Sequence, residues 1–155
     1  RGLRRLNGGG MYKIKIVCVG KLKEKFYADA VAEYCKRLTR FAEVKIAELP
    51  EKRTLEEEGA LILKELRGYV IALAVEGQKF SSEALAAKLK QLCDAGKEIS
   101  FVIGSSCGLC GAVKRRADLL LSFSDMTFPH QLMRVILCEQ LYRAFMINAG
   151  SEYHK

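Results

Sequence analysis

Long apolar runs are missing from this chain. The longest, Tyr69 to Val75, is far short of the ~20 residues a bilayer-crossing helix needs, which excludes a membrane span. Proline and glycine are sparse, 2 and 13 among 155 residues, and scattered. That excludes collagen and a low-complexity linker. Histidine occurs only at His130 and His154, and the one C-x-x-C is Cys107-Gly-Leu-Cys110. These alone do not complete a zinc site, so no metal is expected. Acidic side chains are outnumbered, 18 against 26 Lys and Arg, for a net charge of +8. That balance favours an anionic partner, with nucleic acid the obvious one.

What is present describes one ordinary domain. The chain is 50% apolar and 28% charged, so it is neither disordered nor fibrous. The opening RGLRRLNGGG carries Arg1, Arg4 and Arg5 without an acid and ends in three glycines before Met11. Residues 1–10 read as an artificial or upstream-frame remnant, and 11–155 as the domain. The six cysteines, Cys18, Cys35, Cys93, Cys107, Cys110 and Cys138, fall mostly in apolar segments, where a thiol behaves as a small hydrophobe. Without a signal peptide, a reducing cytoplasm is the expected compartment.

Strand and helix signals alternate along the chain. Lys13 to Val19 is a β-branched strand ended by Gly20. Phe26, Ala30, Val31, Tyr34 and Leu38 recur at threes and fours and predict a helix from about Glu24 to Phe41. Val44 to Leu49 is a strand stopped by Pro50. Thr54 and Glu57 form a capping box for a helix bearing Leu55, Leu61, Ile62 and Leu66. Tyr69 to Val75 is a strand buried on both faces and closed by Gly77. Ser81 or Ser82 caps a helix through Ala95, and Ile99 to Ile103 is a fourth core strand. A basic helix with Lys114, Arg115 and Arg116, a short strand from Asp118 to Ser122, and a helix from about His130 to Ile147 complete the pattern. It predicts an α/β fold with a mainly parallel sheet flanked by helices. Ligands of such sheets bind beyond the strands' carboxyl ends, which directs attention to Val75–Ser81, Gly104–Cys110 and Phe123–His130.

Each of these segments has two readings. Gly104-Ser-Ser-Cys-Gly108 is either a tight strand-to-helix turn or a place where a ligand approaches backbone amides. Cys107 and Cys110 are either incidental or a redox pair at a helix start. Phe123-Ser-Asp-Met-Thr-Phe-Pro-His130 is unusually apolar for a loop, and forms either a buried crossover or the walls of a pocket for a flat ring. His130 is either a helix-start residue or a proton-handling group. The last helix is apolar on more than one face, which suits burial by its own core and by a second subunit. Glu139 and Arg143, four apart on it, read as an ordinary ion pair. Tyr153-His154-Lys155 is either a frayed tail or an RNA contact.

Several pieces, in order, carry a resemblance. They are Val19-Gly-Lys-Leu-Lys-Glu-Lys25, Ala72-Leu73 with Gly77, and Phe101-Val-Ile-Gly104 with Gly108-Leu109. More specific are Leu121-Ser-Phe-Ser-Asp-Met-Thr-Phe-Pro-His-Gln131, Met133-Arg-Val135, Glu139-Gln-Leu-Tyr-Arg-Ala144 and the terminal Tyr153-His154-Lys155. From Met11 to Lys155 the chain resembles the RlmH family, small SPOUT-class methyltransferases of the ribosomal large subunit. The resemblance implies a C-terminal trefoil knot, a homodimer, S-adenosylmethionine as donor, and N3 of a pseudouridine in the helix 69 loop of 23S ribosomal RNA as acceptor, in the large subunit or assembled ribosome. It implies a donor pocket involving Leu73, Gly104, Phe123, Ser124, Asp125, Met126, Thr127 and Phe128. It associates His130, Arg143, Tyr153 and His154 with substrate and catalysis, the last two reaching a neighbouring subunit's site. Ser105 stands where the family usually has a second glycine, and Cys107 and Cys110 depart from its pattern. The rival readings are a thiol–disulfide oxidoreductase using Cys107 and Cys110, and a non-enzymatic RNA-binding module.

Overall fold

The structure, a computed structural model, describes residues 11–154. The remnant reading of residues 1–10, like Lys155, lies outside the described residues. Five strands and five helices alternate in chain order: β1 (Tyr12–Val19), α1 (Lys25–Leu38), β2 (Ala42–Leu49), α2 (Leu55–Glu65), β3 (Tyr69–Lys79), α3 (Ser82–Asp94), β4 (Ile99–Ile103), α4 (Gly111–Arg116), β5 (Leu119–Ser122) and α5 (His130–Asn148). The sheet order is β2-β1-β4-β3-β5, and all its pairings are parallel. The expected α/β architecture is therefore the one observed.

The two faces of the sheet bury different sets of side chains, as strand alternation requires. Ile14, Ile16 and Cys18 of β1 face a core shared with α1, α3 and α5, while Val17 and Val19 face the α2 and α4 side. β4 is buried at every position, the mark of a central parallel strand. The caps follow the sequence signals. Thr54 Oγ1 accepts from Glu57 N–H at 3.1 Å and Ser81 Oγ accepts from Ala84 N–H at 3.0 Å, each satisfying an orphan donor of its helix. Gly59 of α2 packs so closely on α4 that a Cβ would stand 2.2 Å from Cys110 Sγ.

One boundary differs from the sequence expectation. Gly77 does not close β3. Leu73 pairs with Leu121 of β5, residues 74–77 leave the ladder, and Gln78 and Lys79 rejoin it opposite Leu121 and Ser122. A Cβ on Gly77 would lie 2.6 Å from Leu120 O, so glycine there permits a close pass between strands. Residues 74–77 thus bulge from the carboxyl end of the sheet.

Candidate active site

At that carboxyl end the structure forms a cavity of about 280 Å³, at the lower bound of small-molecule sites. Its walls come from the ends of three adjacent strands. β3 gives Leu73 and the bulge Ala74–Glu76; β4 gives Ile103 and the loop Gly104–Leu109; β5 gives Leu121, Ser122 and the loop beyond. His130 and Met133 of α5 complete it. A larger cavity, about 610 Å³, opens near the amino end of β1 between Phe41, Leu89 and Phe145. No strand carboxyl ends meet there, and the sequence motifs lie elsewhere, so the smaller cavity is the candidate site.

The Gly104 loop is folded tightly back on itself. A Cβ at Gly104 would meet Gly108 O at 2.3 Å, and Gly108 itself sits at φ +91. Gly108 N–H donates to Ser105 O at 2.9 Å. Ser105 Oγ donates to Glu58 Oε1 at 3.0 Å and accepts from Cys107 N–H at 3.3 Å, while Glu58 Oε2 accepts from Lys52 N–H at 3.1 Å. A buried carboxylate of α2 therefore ties down Ser105. Cys110 is packed in the α2–α4 core and only Cys107 is exposed, so the two thiols do not share one accessible environment.

The Phe123–Phe128 loop braces itself. Ser122 Oγ donates to Ser124 O at 3.0 Å, and Met126 N–H donates to Ser124 Oγ at 3.0 Å. Phe123, Ser124, Met126, Thr127 and Phe128 line the cavity, with Met126 73% exposed at its mouth. Asp125 does not line it; it is exposed and pairs with Lys79. Lys114, which sequence reasoning left in a merely basic helix, does line it and pairs with Glu76 at 2.6 Å. That hydrogen-bonded ammonium holds the Glu76 carboxyl below its usual range.

A second group gathers further along α5. Glu139 Oε2 accepts from Arg143 Nη2 at 2.8 Å and from Tyr153 Oη at 2.9 Å. Arg143 Nη1 lies 3.0 Å from His154 Nδ1, and its guanidinium covers the Tyr153 ring at 4.9 Å. His154 Nε2 lies 2.6 Å from Glu83 Oε1 of α3, which lowers the Glu83 pKa. Tyr153 also meets the edge of Tyr142. Its hydroxyl is pushed up to about 12, first by burial and then by its hydrogen bond to Glu139. The tail to His154 is folded onto α5 rather than frayed. Glu139, which spacing alone marked as half of a surface ion pair, is the acceptor common to Arg143 and Tyr153.

Arg143, Tyr153 and His154 are thus brought together, and His130 is brought to the cavity. The two groups are not brought to each other. Thirteen residues of helix separate His130 from Arg143, about 20 Å along the axis at 1.5 Å per residue. The cavity can take a flat ring: Leu73, Phe123 and Phe128 supply apolar walls, and the Gly104 loop closes one side.

Residues 12–154 match a family model described as "Predicted SPOUT methyltransferase". A ribosomal RNA large subunit methyltransferase H from Lactobacillus helveticus is 50% identical over 92% of this chain and 99% of its own length. One from Streptococcus sanguinis is 51% identical over the same shares. Among solved structures, a methylase family protein from Neisseria gonorrhoeae aligns with a TM-score of 0.55 at 12% identity, over 84% of this chain and 82% of its own. The SpoU methyltransferase AviRb from Streptomyces viridochromogenes, in complex with AdoMet, gives 0.50 at 9% identity over 92% and 60%. Those two likenesses speak for the fold, and the sequence matches speak for the family. The chain belongs to the SPOUT methyltransferases, whose methyl donor is S-adenosylmethionine.

Proposed function

We propose that this protein methylates large-subunit ribosomal RNA at N3 of a pseudouridine, working as a homodimer. The observation that carries the reading is the cavity itself. It is walled by Leu73, Gly104 and five of the six residues from Phe123 to Phe128, the segments in which the family motifs lie. Relatives half identical over nearly their whole length are named for large-subunit ribosomal RNA methylation.

S-adenosylmethionine supplies an electrophilic methyl group on a sulfonium. The protein's share of the work is to hold the acceptor in line with that methyl, and orientation of this kind can supply ~7–11 kcal/mol of a barrier. Loss of the N3 proton gives the imide its negative charge, and that charge is consumed as the N–CH3 bond forms and the S–CH3 bond breaks, with the neutral thioether as leaving group. Arg143 is the group for that charge, since Glu139 and Tyr153 fix its guanidinium and its charge is permanent. His130 or His154 takes the proton, directly or through water.

The ~20 Å between His130 and Arg143 supports the homodimer, in which one subunit's Arg143–Tyr153–His154 group serves its partner's cavity. Leu132, Val135 and Ile136 leave α5 a partly exposed apolar stripe suited to that contact. The test is incubation with labelled donor and ribosomes lacking the modification, followed by mapping of the labelled base. Label confined to one pseudouridine is expected; label on protein, on another RNA or nowhere refutes the reading.

A further inference from the structure

The order of strands divides the carboxyl rim of the sheet in two. β4, β3 and β5 carry the donor cavity, and β2 and β1 carry the other half. On that second half the segment from Gly20 to Phe26 is held from beneath with unusual thoroughness. Gly20 turns at φ +90 and donates its N–H to Leu49 O at 2.7 Å. Its carbonyl accepts from Arg134 Nη2 at 2.9 Å, and Arg134, only 1% exposed, also pairs with Glu48 at 2.6 Å. Leu22 packs on the hydrophobic core. Lys23 N–H donates to Gln131 Oε1 at 3.1 Å.

Glu24 and the Lys25–Asp29 ion pair are exposed on this braced segment, but two lysines and an aromatic ring on it suit a polyanion. Lys21 and Lys23 flank the anchored Leu22, are exposed, and form no ion pair among the described residues. Phe26 is 64% exposed, with its ring against Tyr27 at 4.5 Å. Tyr27 covers only part of that ring, and most of it is left open to solvent. The adjoining loop is of mixed sign, with Lys52 and Arg53 among Glu51, Glu56 and Glu57, and the Glu51 carboxylate stands 3.4 Å from where a Cβ of Gly20 would be. The two residues that brace the segment, Gln131 and Arg134, share the first turns of α5 with His130 and Met133 of the cavity wall.

We propose that Lys21, Lys23 and Phe26 form an RNA-docking element, the lysines on neighbouring phosphates of one strand and the phenylalanine stacked on an unpaired base. It rests on the ribosomal RNA reading above and adds the surface by which the RNA is gripped. Arg134 and Gln131 are positioning residues: they fix this element in register with the cavity, so that RNA seated on it is already aligned with the donor half of the rim. A segment ordered before binding loses little entropy when it binds, which is the use of so much buried support.

The test compares wild type, the double variant Lys21→Gln with Lys23→Gln, and Phe26→Ala, on ribosomes lacking the modification, across a salt series. For the double variant the slope of log K against log salt should flatten by about 1.4–1.8, and affinity at 0.1 M salt should fall about 30-fold. Phe26→Ala should weaken binding about tenfold with the slope unchanged. In both variants KM for ribosomes should rise while donor affinity, measured by calorimetry on the protein alone, stays at the wild-type value. An unchanged slope and KM in the double variant would overturn the proposal, as would a loss of donor affinity matching the loss of ribosome affinity. If wild type binds donor but neither binds nor methylates ribosomes, the ribosomal RNA reading is what has failed, and the docking element falls with it.

Discussion

Gly104→Ala is the most direct probe of the donor loop. A methyl group at that position would stand 2.3 Å from Gly108 O and 2.9 Å from Leu109 Cδ2, where ordinary contact begins near 3.4 Å. The nearest obstacle is backbone, so no side-chain rotation relieves it. The loop must open by about 1 Å, consistent with an overpacking cost of ~1–3 kcal/mol. Opening strains the 2.9 Å bond from Gly108 N–H to Ser105 O, worth ~0.5–1.5 kcal/mol net, and draws Leu109 from its buried place against α2 and α4. A shift of about 2–3 kcal/mol against the closed loop corresponds to roughly 30- to 150-fold weaker donor binding, and to a melting point lower by ~4–10 °C. Calorimetric titration with S-adenosylmethionine and a thermal melt measure the two separately. A variant that melts early but binds donor with wild-type affinity would show that the loop is structural and that the donor lies elsewhere.

Three further outcomes follow from the geometry. Arg143→Ala should lower turnover about 10²- to 10³-fold with donor affinity retained. Mixing it with Gly104→Ala should restore part of the activity by forming dimers with one complete site, and no restoration in mixed, re-equilibrated dimers refutes a site shared between subunits. Gly59→Ala should destabilise the fold by about 1–3 kcal/mol, because the new Cβ meets Cys110 Sγ at 2.2 Å, and adding Cys110→Ala should recover much of that loss in denaturant titrations. The same double variant should still transfer methyl groups, whereas an oxidoreductase would be dead. The Tyr153 hydroxyl, at about 12 when folded against an ordinary 10, adds stability that is complete below pH 10 and is lost as pH rises towards 12. Tyr153→Phe should remove that portion of the alkaline decline in stability, and an unaltered decline would refute the assignment.

Local chemistry made much of the fold legible. The core strand β4, apolar but for Ser100, and the Thr54 and Ser81 caps needed only neighbours in sequence, and the structure reproduces them. Strand order was not legible, because every buried parallel strand has the same apolar character. The β3 bulge was missed for a related reason: a glycine that ends a strand and one that lets a strand detour look alike until the neighbouring strand is placed. At the site, the apolar Phe123–Phe128 segment announced itself, since solvent exposure explains such a loop poorly. Glu58, Lys114 and Arg134 gave no signal, because each is a charged helical residue that also bonds a residue at least 38 positions away. Glu139 was visible only as one end of an i, i+4 pair; its hydrogen bond from Tyr153 required the tail to fold back.

The bulge in β3 also bears on when the protein becomes competent during synthesis. Ala74–Glu76 can form a wall only once β5 has docked on both sides of the detour, and β5 is the last strand to be made. A nascent chain halted before Leu119 lacks β5, the loop beyond it and α5, and with them the third wall of the cavity. On the function proposed above, stabilisation by donor therefore requires β5 and α5, and a pulse of donor during translation would report completion of the carboxyl-terminal quarter of the chain.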